Sequence, residues 1–406
     1  MAAPPPGSPG GSPESARAHG RPAALRLAIG LLAAAALIGC AGDAPERGPG
    51  RDAATATGPR PWATSESRWE VTLEAVTEPD LYLTSVYDVD VDSRGRVFLV
   101  DWPAGGITVL TPDLTYLQTV GREGEGPGEF VRKEVQILPG DTLLVYDSAL
   151  GRITLFDPDN LEVVATRPPP NRERDVVSHL WKLPEPGRYF ALDRAPYIAG
   201  EGEAADQGRT QVILAFDEST DTIADTLAIV ADSERLVTRG EGYLMVGGHP
   251  FGREALVRLV GENRIALANS GALDVTVLDF DGATAHTFFY PTTPVPVTAA
   301  ELRAASEDMN ESLVDVLRSG APYTWPALAG LVTDDEERIW IGIRSPSDSE
   351  EWEWAAFVPD GRHAGSILLP AGHLLQAVRD GRAYVLSHDE FDVPSIRAYR
   401  LGSRES

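Results

Sequence analysis

Short apolar runs separated by turn residues recur along the chain from residue 68 to residue 402. Each run is rich in β-branched, aromatic and leucine residues, follows a turn residue, and is followed after a loop by a second run. This pattern is typical of β-strands joined by short turns. The first runs of the six repeats are Gly95-RVFLVD, Gly140-DTLLVYD, Gly187-RYFALD, Glu262-NRIALAN, Glu337-RIWIGI and Gly381-RAYVLS.

A further candidate strand precedes each of these phrases, and another follows the second run in most repeats, which makes four short strands per repeat. The periodicity of an amphipathic helix is almost absent, so the pattern excludes an α/β fold with crossover helices. Six radially repeated four-stranded sheets with short, protected edges form a β-propeller. The sequence therefore predicts an all-β fold, a six-bladed β-propeller over residues 68–402.

The two ends of the repeat region are complementary. The last repeat has only three strands before it ends near Leu401, whereas an additional strand, Trp69-EVTLEAV, precedes the first repeat. An open ring would leave unpaired strand edges. We therefore predict that the N-terminal strand completes the last blade and closes the ring.

One segment departs from the strand pattern and predicts a helical insert at about residues 298–319. Thr298 and Glu301 have the spacing of a capping box, and Gly320 and Pro322 mark the end of the helix. The insert carries an apolar stripe: Leu302, Ala305, Met309, Leu313 and Val316. The stripe favours a helix that packs against a blade, and a lid over the propeller is the alternative.

Residues 1–39 have the pattern of a secretory signal. The apolar run of residues 27–38 follows two arginines and is too short to span a bilayer, which requires about 20 apolar residues. The sequence LIGC at residues 37–40 resembles a bacterial lipobox, in which cleavage leaves Cys40 to be acylated. A buried cysteine behind an uncleaved anchor is the alternative.

Residues 40–67 lack periodicity and are predicted to form a flexible tether behind the acylated Cys40. No basic patch for anionic lipid is present there, so the lipid chain itself would anchor the protein to the membrane. Ala41 replaces the aspartate that often retains bacterial lipoproteins at the inner membrane, which favours the outer membrane if the source is Gram-negative. The predicted location is the cell envelope.

The charge and cysteine content restrict the partners and the chemistry. With 61 acidic and 35 basic residues, the chain of 406 residues carries a formal net charge of −26, which would repel a phosphate backbone and argues against nucleic acid as a partner. Cys40 is the only cysteine, which excludes an intrachain disulfide, a multi-cysteine metal site and, once it is acylated, a cysteine nucleophile.

The connection after the first repeat carries the most specific motif. Gly121-REGEGPGEF, which ends at residue 130, has the form G-x-x-G-x-G-P-G-E-F. In this motif and in the repeat phrases the chain resembles the NHL-type six-bladed propeller lipoproteins of several bacterial phyla. The resemblance covers most of residues 68–402 and implies the propeller fold, whereas most members of that family have no assigned activity.

Recognisable catalytic motifs are absent from the sequence. It contains neither H-E-x-x-H nor G-x-S-x-G, and no two of its seven histidines have helical ligand spacing. The glycine-rich segment 121–128 lacks the Lys-Ser/Thr of a phosphate loop and is rich in glutamate, which favours a simple turn. We therefore assign no catalytic residue, no metal ligand and no cofactor.

An alternating acidic run precedes the first repeat phrase. Asp88, Asp90 and Asp92 would project to one side of a strand, with Val89 and Val91 on the other. One interpretation is an acidic metal site near the channel mouth, although the spacing does not match a calcium-binding EF-hand. The other is a polar strand face that ends in a turn at Asp92.

Topology predicts one surface as the binding site. In a four-stranded blade the loop after the second strand and the connection to the next blade emerge on the same face, which we call the predicted face. Four of the six loops begin with Asp or Asn, which indicates a recurring structural turn. The residues that break this repeat are the candidate ligand contacts: Trp102, Arg194, Arg344 and His388. We also expect the acidic inserts at residues 200–208 and 348–354 there, as attractors of cationic or hydroxyl-rich partners or as solvated loops.

These observations predict a lipid-anchored, non-enzymatic binding or interaction module of the cell envelope. Its ligand would be an envelope protein, a small molecule or a carbohydrate. The alternative is a metal-dependent hydrolase or lyase, similar to the lactonases built on other six-bladed propellers, which hold a divalent metal in the channel. Asp90 and Asn269 could contribute to such a ligand set, but the sequence does not reveal a complete one.

Overall fold

The computed structural model describes residues 68–78, 80–102, 104–170, 177–194, 208–219, 222–240, 243–307, 309–321, 323–346 and 348–402, apart from the side chains of residues 222–225. All of them belong to one unit of the chain, residues 55–406. The predicted signal, Cys40 and the tether lie outside the described residues, as does most of the insert at residues 200–208. Among the described residues, no helix is long and apolar enough to cross a membrane.

The strands follow the repeat pattern closely. From the N-terminus they are β1 (Val71–Val76), β2 (Val86–Val91), β3 (Val97–Asp101), β4 (Ile107–Leu110), β5 (Tyr116–Val120), β6 (Arg122–Glu123), β7 (Glu129–Phe130), β8 (Lys133–Ile137), β9 (Leu143–Asp147), β10 (Arg152–Phe156), β11 (Val163–Arg167), β12 (Val177–Lys182), β13 (Arg188–Arg194), β14 (Thr210–Asp217) and β15 (Thr222–Ala231).

The second half of the chain contains further strands and two helices. They are β16 (Arg235–Gly240), β17 (Tyr243–Gly248), β18 (Ala255–Val260), β19 (Arg264–Asn269), β20 (Leu273–Asp279), β21 (Thr284–Tyr290), α1 (Ala299–Ala304), α2 (Glu311–Ser319), β22 (Leu328–Thr333), β23 (Ile339–Ile343), β24 (Glu351–Phe357), β25 (His363–Pro370), β26 (Leu374–Arg379), β27 (Arg382–His388) and β28 (Pro394–Leu401).

Six antiparallel four-stranded sheets form the blades. Blades 1 to 5 are β2–β5, β8–β11, β12–β15, β18–β21 and β22–β25, each with its strands side by side in chain order. Blade 6 contains β26, β27 and β28 with β1 at its outer edge. This topology confirms the predicted six-bladed β-propeller.

The N-terminal strand closes the ring, as predicted. Strand β1 pairs antiparallel with β28, in register from Val71 opposite Leu401 to Val76 opposite Arg397. Glu74 joins the same edge through ion pairs of 2.8 Å to Arg382 and 3.0 Å to Arg400. The hydrogen bond from Arg400 holds the pKa of Glu74 below its usual range. The last blade therefore depends on both ends of the repeat region.

The hydrophobic core consists of six clusters, one between each pair of neighbouring blades. Val89 and Val91 of blade 1 pack with Tyr384 and Ile396 of blade 6, for example. Each sheet is covered on both faces, so its inner and middle strands bury side chains of both alternating sets. This explains why β3, β9 and β23 are buried along their whole length.

Asp92 forms the turn that the sequence predicts. Its side chain accepts hydrogen bonds from the backbone N–H groups of Arg94 and Arg96 and from the Arg96 Nε atom, at 3.0, 2.8 and 2.6 Å. Asp334 makes the same set of bonds in blade 5, with Arg338 as its partner. The acidic residue at this position therefore shapes the turn between the first and second strands.

The helical insert differs from the prediction because it contains two short helices instead of one. The capping box of Thr298 and Glu301 is present, but α1 ends at Ala304. Asn310 begins α2 by accepting a hydrogen bond of 3.0 Å from the N–H of Ser312, and Gly320 caps its end. The entire predicted stripe still packs into one cluster with the β16–β17 hairpin. The insert is therefore packed, but against the hairpin and not against a blade as predicted.

Two other segments clarify the loop predictions. The glycine-rich connection is a turn in which Gly121 has a φ of +73° and a Cβ there would lie 2.4 Å from the Phe130 ring. Glu129 fixes this turn by accepting from the Gly126 N–H at 2.7 Å. Residues 351–354, predicted to belong to an acidic loop, instead form the first half of β24, where Trp354 is buried. Glutamates occupy alternate positions at the beginning of this strand, and for this reason the segment was predicted to be an acidic loop.

Candidate functional site

The ends of the second strands lie on the predicted face, and the recurrent acids there have structural partners. Asp101 accepts from the Thr84 N–H at 3.0 Å, and Asp147 accepts from the Val131 N–H at 2.7 Å. Both partners lie in segments that lead into the first strand of a blade. These acids therefore hold the inter-blade connections, as expected of a recurring turn.

The four predicted contacts do not touch one another. Trp102 and His388 are exposed, whereas Arg194 and Arg344 are partly buried. Within the described part of the chain, no hydrogen bond, ion pair or ring contact joins any two of them. Each has its own surroundings, so their roles as ligand contacts remain separate predictions.

Arg344 is held between two tryptophan rings. Its guanidinium lies 4.5 Å from the Trp325 ring centre and 4.3 Å from that of Trp352. Trp325 is itself fixed by a hydrogen bond of 3.0 Å from its Nε1 atom to Glu301 of α1. Burial lowers the pKa of Arg344 to about 10. The guanidinium is therefore engaged with two aromatic rings of the protein.

Arg194 lies beside a cavity on the predicted face, where it forms an ion pair of 3.0 Å with Asp232. The cavity has a volume of about 680 Å³ and is lined by residues 208–209, 231–235, 237–239, 253, 269 and 316. We call it the arginine cavity because four arginines line it: Arg209, Arg235, Arg239 and Arg253.

A second cavity lies in the central channel of the propeller. It has a volume of about 660 Å³ and is lined by the first strands of the blades, β2, β8, β12, β18, β22 and β26. It extends to the turns between first and second strands, which form the face opposite to the predicted one. None of the four predicted contacts lines the channel cavity.

Acidic and amide side chains bridge neighbouring inner strands in the channel. Asp88 and Asp90 of β2 accept hydrogen bonds from the N–H groups of Val135 and Ile137 of β8, at 2.8 and 2.6 Å. Gln136 repeats the pattern one blade further, because its amide bonds both backbone groups of Lys182. Inner-edge backbone groups that would otherwise be unpaired are thereby satisfied.

The deep part of the channel contains titratable groups with perturbed pKa values. His179 Nδ1 lies 3.4 Å from Glu134 Oε1. Burial, reinforced by the positive charge of Arg258, lowers the pKa of His179 to about 4. Burial and the charge of Asp88 raise the pKa of Glu134 well above its usual range. The two pKa values are therefore shifted in opposite directions, and both shifts favour the neutral form of the group.

The residues considered for a metal site are not assembled into one. Asp92 belongs to a turn, whereas Asp88 and Asp90 bind backbone N–H groups of the next blade. Asp90 lines the channel, and Asn269 lines the arginine cavity. Among the described residues, no three His, Cys, Asp or Glu side chains are grouped as metal ligands.

The channel residues Glu134, His179 and Arg258 were missed by the sequence analysis. A usable signal exists, since each is a polar residue within a first strand that also contains apolar residues: KEVQI, VSHLWK and ALVRLV. Aligning the first strands of all repeats would have placed these side chains around one axis.

Comparison with known proteins supports no closer classification than the six-bladed β-propeller fold. No family profile matches the sequence, and no curated protein is recognised as a relative. Similar solved structures include a Bacteroides fragilis protein described as exported (13% identity, TM-score 0.49, 85% of this chain and 98% of that one). A DUF4221 member from Bacteroides vulgatus has 11% identity and a TM-score of 0.48, covering 83% and 98%. A virginiamycin B lyase variant from Staphylococcus aureus has 10% identity and a TM-score of 0.41, covering 82% and 100%.

Proposed function

We propose that the protein is a lipid-anchored propeller of the cell envelope that binds a small hydroxyl-rich molecule in its central channel without converting it. The observation that carries this proposal is the channel cavity, whose volume of about 660 Å³ lies within the usual range for small-molecule sites. The NHL-type lipoprotein resemblance and the signal sequence support the anchor and the location. The propeller then serves as a receptor tethered to a membrane.

The charges of the channel favour a polar ligand. Asp88 and Glu134 contribute acidic groups to the wall, and Arg258 and Lys182 contribute cationic groups. Arg258 is near enough for its charge to oppose the rise that burial causes in the pKa of both acids. Trp181 adds an aromatic surface, the kind of side chain on which a sugar ring stacks. A ligand with many hydroxyl groups can donate to the carboxylates and accept from the arginine at the same time. Carbohydrates have this chemistry.

A retention experiment tests the channel. Full-length protein in non-ionic detergent is incubated with the small-molecule fraction of the cell envelope, repurified, and examined by native mass spectrometry. We expect a bound mass on the wild-type protein that is lost in Arg258→Ala and retained in Trp102→Ala. Loss in Trp102→Ala with retention in Arg258→Ala would instead place the ligand on the predicted face.

The anchor has its own test. Cys40→Ser removes the thiol that acylation requires, so the protein is expected to move from the membrane fraction to the soluble fraction. Ser395→Ala is a matched control because it leaves the N-terminus unchanged. Continued membrane partitioning of Cys40→Ser would contradict the lipobox interpretation.

The enzymatic alternative is supported by the Glu134–His179 pair. The two side chains lie 3.4 Å apart, and the pKa of the carboxyl is raised while that of the imidazole is lowered, shifts of the kind that general acid and general base catalysis use. If this pair is catalytic, wild-type protein will hydrolyse or cleave members of a lactone and ester panel, and His179→Gln will lose that activity. Elemental mass spectrometry of protein purified without chelator tests the metal-dependent form, which requires one stoichiometric divalent ion.

A further inference from the structure

The arginine cavity is built by segments that the six blades do not need. Its wall includes the connection between blades 3 and 4, the β16 strand of the hairpin, and Val316 of α2. The hairpin is anchored from its other side, where Leu236 packs with Phe251, Leu313 and Leu317. The insert therefore supports one wall of this cavity.

Strand alternation turns one face of β16 toward the cavity. Leu236 faces the hydrophobic cluster, so Arg235, Val237 and Arg239 lie on the opposite face of the strand. All three line the cavity. Arg235 is exposed and has no hydrogen bond or ion pair with any residue that the structure describes. Its guanidinium is therefore available to a ligand.

A buried and an exposed carboxylate orient three neighbouring arginines, Arg194, Arg209 and Arg253. Asp232, which is buried, lies 3.0 Å from Arg194 Nε and 3.5 Å from Arg209 Nε. Glu234 accepts from the Arg253 N–H at 2.9 Å and lies 3.5 Å from its guanidinium. These contacts restrict the arginines before any ligand arrives, which lowers the entropy lost on binding.

The described lining of the cavity has the opposite charge to the whole chain. Among the described residues that line it, four are arginines and two, Asp232 and Glu234, are acidic, whereas the whole chain carries a formal charge of −26. Planar guanidinium groups bind carboxylate and phosphate with two parallel hydrogen bonds. The volume of about 680 Å³ exceeds what a single small ion needs and fits a molecule with several such groups.

We infer that the arginine cavity binds a small molecule that carries at least two phosphate or carboxylate groups. Arg235 and Arg253 contact its anionic groups, while Asn269 and Thr238 provide polar contacts at the rim. This site lies on the predicted face, and its lining shares no residue with the channel cavity. It is therefore independent of the channel ligand proposed above.

Isothermal titration calorimetry of full-length protein with tripolyphosphate, and separately with citrate, tests this inference. At low salt we expect at least one of the two anions to bind the wild-type protein at a single site. Arg235→Ala should weaken anion binding at least tenfold. Arg235→Lys should weaken it less, because lysine keeps the positive charge although it cannot form two parallel hydrogen bonds. Arg362→Ala, at an exposed turn of blade 5, is the matched control and should change the affinity by less than twofold.

Two results would overturn the inference. One is the absence of binding of both anions to the wild-type protein. The other is binding that survives Arg235→Ala and Arg253→Ala together, which would mean an adventitious surface site. Circular dichroism confirms that each variant is folded. Glu134→Gln should leave anion binding unchanged, so failure of the channel proposal is distinguishable from failure of this one.

Discussion

The Oδ2 atom of Asp88 accepts a hydrogen bond of 2.8 Å from the backbone N–H of Val135, which lies in the first strand of the neighbouring blade. Asp90 makes the equivalent bond to Ile137 at 2.6 Å. The inner strand of every blade has one edge without a strand partner, and that edge faces the channel. Side chains of blade 1 therefore pair with the inner edge of blade 2. The alignment of these two blades is thereby linked to the ionisation of Asp88 and Asp90.

Replacement of Asp90 by asparagine is expected to stabilise the protein at pH 8. Burial raises the pKa of Asp90 to about 7 from the usual 3.8, so the unfolded chain ionises first as the pH rises. The free energy of unfolding therefore falls between about pH 4 and pH 7. A neutral asparagine avoids this loss, and we expect a gain on the order of 1 kcal/mol at pH 8, against an upper limit of about 4 kcal/mol.

Urea unfolding of Asp90→Asn and wild-type protein at pH 4.5 and pH 8 measures this effect. The free energy of unfolding of Asp90→Asn should exceed that of the wild-type protein by more at pH 8 than at pH 4.5. Asp113→Asn changes an exposed acid and serves as the control. An equal difference at both pH values would show that Asp90 is ionised normally.

Replacement of His179 by glutamine is expected to protect the fold against acid. The pKa of His179 is lowered to about 4 by burial, so the unfolded state takes up a proton first as the pH falls below about 6.5. The resulting loss of stability develops between about pH 6.5 and pH 4 and is absent without the imidazole. The urea midpoint of each variant is measured at pH 7.5 and at pH 4.5. The difference between these two midpoints should be smaller in His179→Gln than in the exposed-site control His286→Gln. Identical pH dependence in both variants would contradict a His179 whose pKa is lowered in the folded protein.

Loss of Arg344 is expected to affect stability more than ligand binding. Its guanidinium lies between Trp325 and Trp352, and each cation–π contact contributes about 0.5 to 2 kcal/mol. We expect Arg344→Ala to lower the free energy of unfolding by about 1 to 3 kcal/mol, with Arg344→Lys intermediate. Urea unfolding followed by tryptophan fluorescence measures this, with the exposed His388→Ala as control. An unchanged stability together with lost ligand retention would restore Arg344 as a ligand contact.

Deletion of residues 68–76 tests the closure of the ring. Without β1, the outer edge of β28 is unpaired, and Glu74 no longer holds Arg382 and Arg400. We expect a cooperative loss of stability and association through the open edge. Size-exclusion chromatography and urea unfolding report both effects. Deletion of residues 52–60 removes a similar length upstream and should leave both unchanged. A monomeric deletion variant of unaltered stability would show that the propeller does not need this strand.

The local pattern was sufficient to predict the blades because each strand obeys the same rule. Short runs such as VFLVD and LLVYD are buried on both faces and are bounded by turns, so neighbouring blades impose the same pattern six times. Closure by β1 followed from the count of strands, since an unpaired edge is unfavourable. The turn role of Asp92 followed from its position at the end of an alternating strand.

The inserts and cavities depend on contacts that local pattern does not contain. The apolar stripe correctly predicted burial of Leu313, and Leu302 is partly buried in the same cluster, but Asn310 interrupts the helix by capping α2. The β16–β17 hairpin was not predicted. Arg194 was chosen for breaking the repeat, yet its ion pair with Asp232 bridges positions 38 residues apart in sequence. Such pairings become visible only when the blades are assembled.

Hydrogen–deuterium exchange of the full-length protein tests the central claim most directly. Exchange is measured with and without the small-molecule fraction of the cell envelope. Ligand in the channel should slow exchange in β8, β12 and β18, which carry Glu134, His179 and Arg258. Protection confined to the loops around Trp102 and His388, with no change in these inner strands, would contradict a channel-binding propeller.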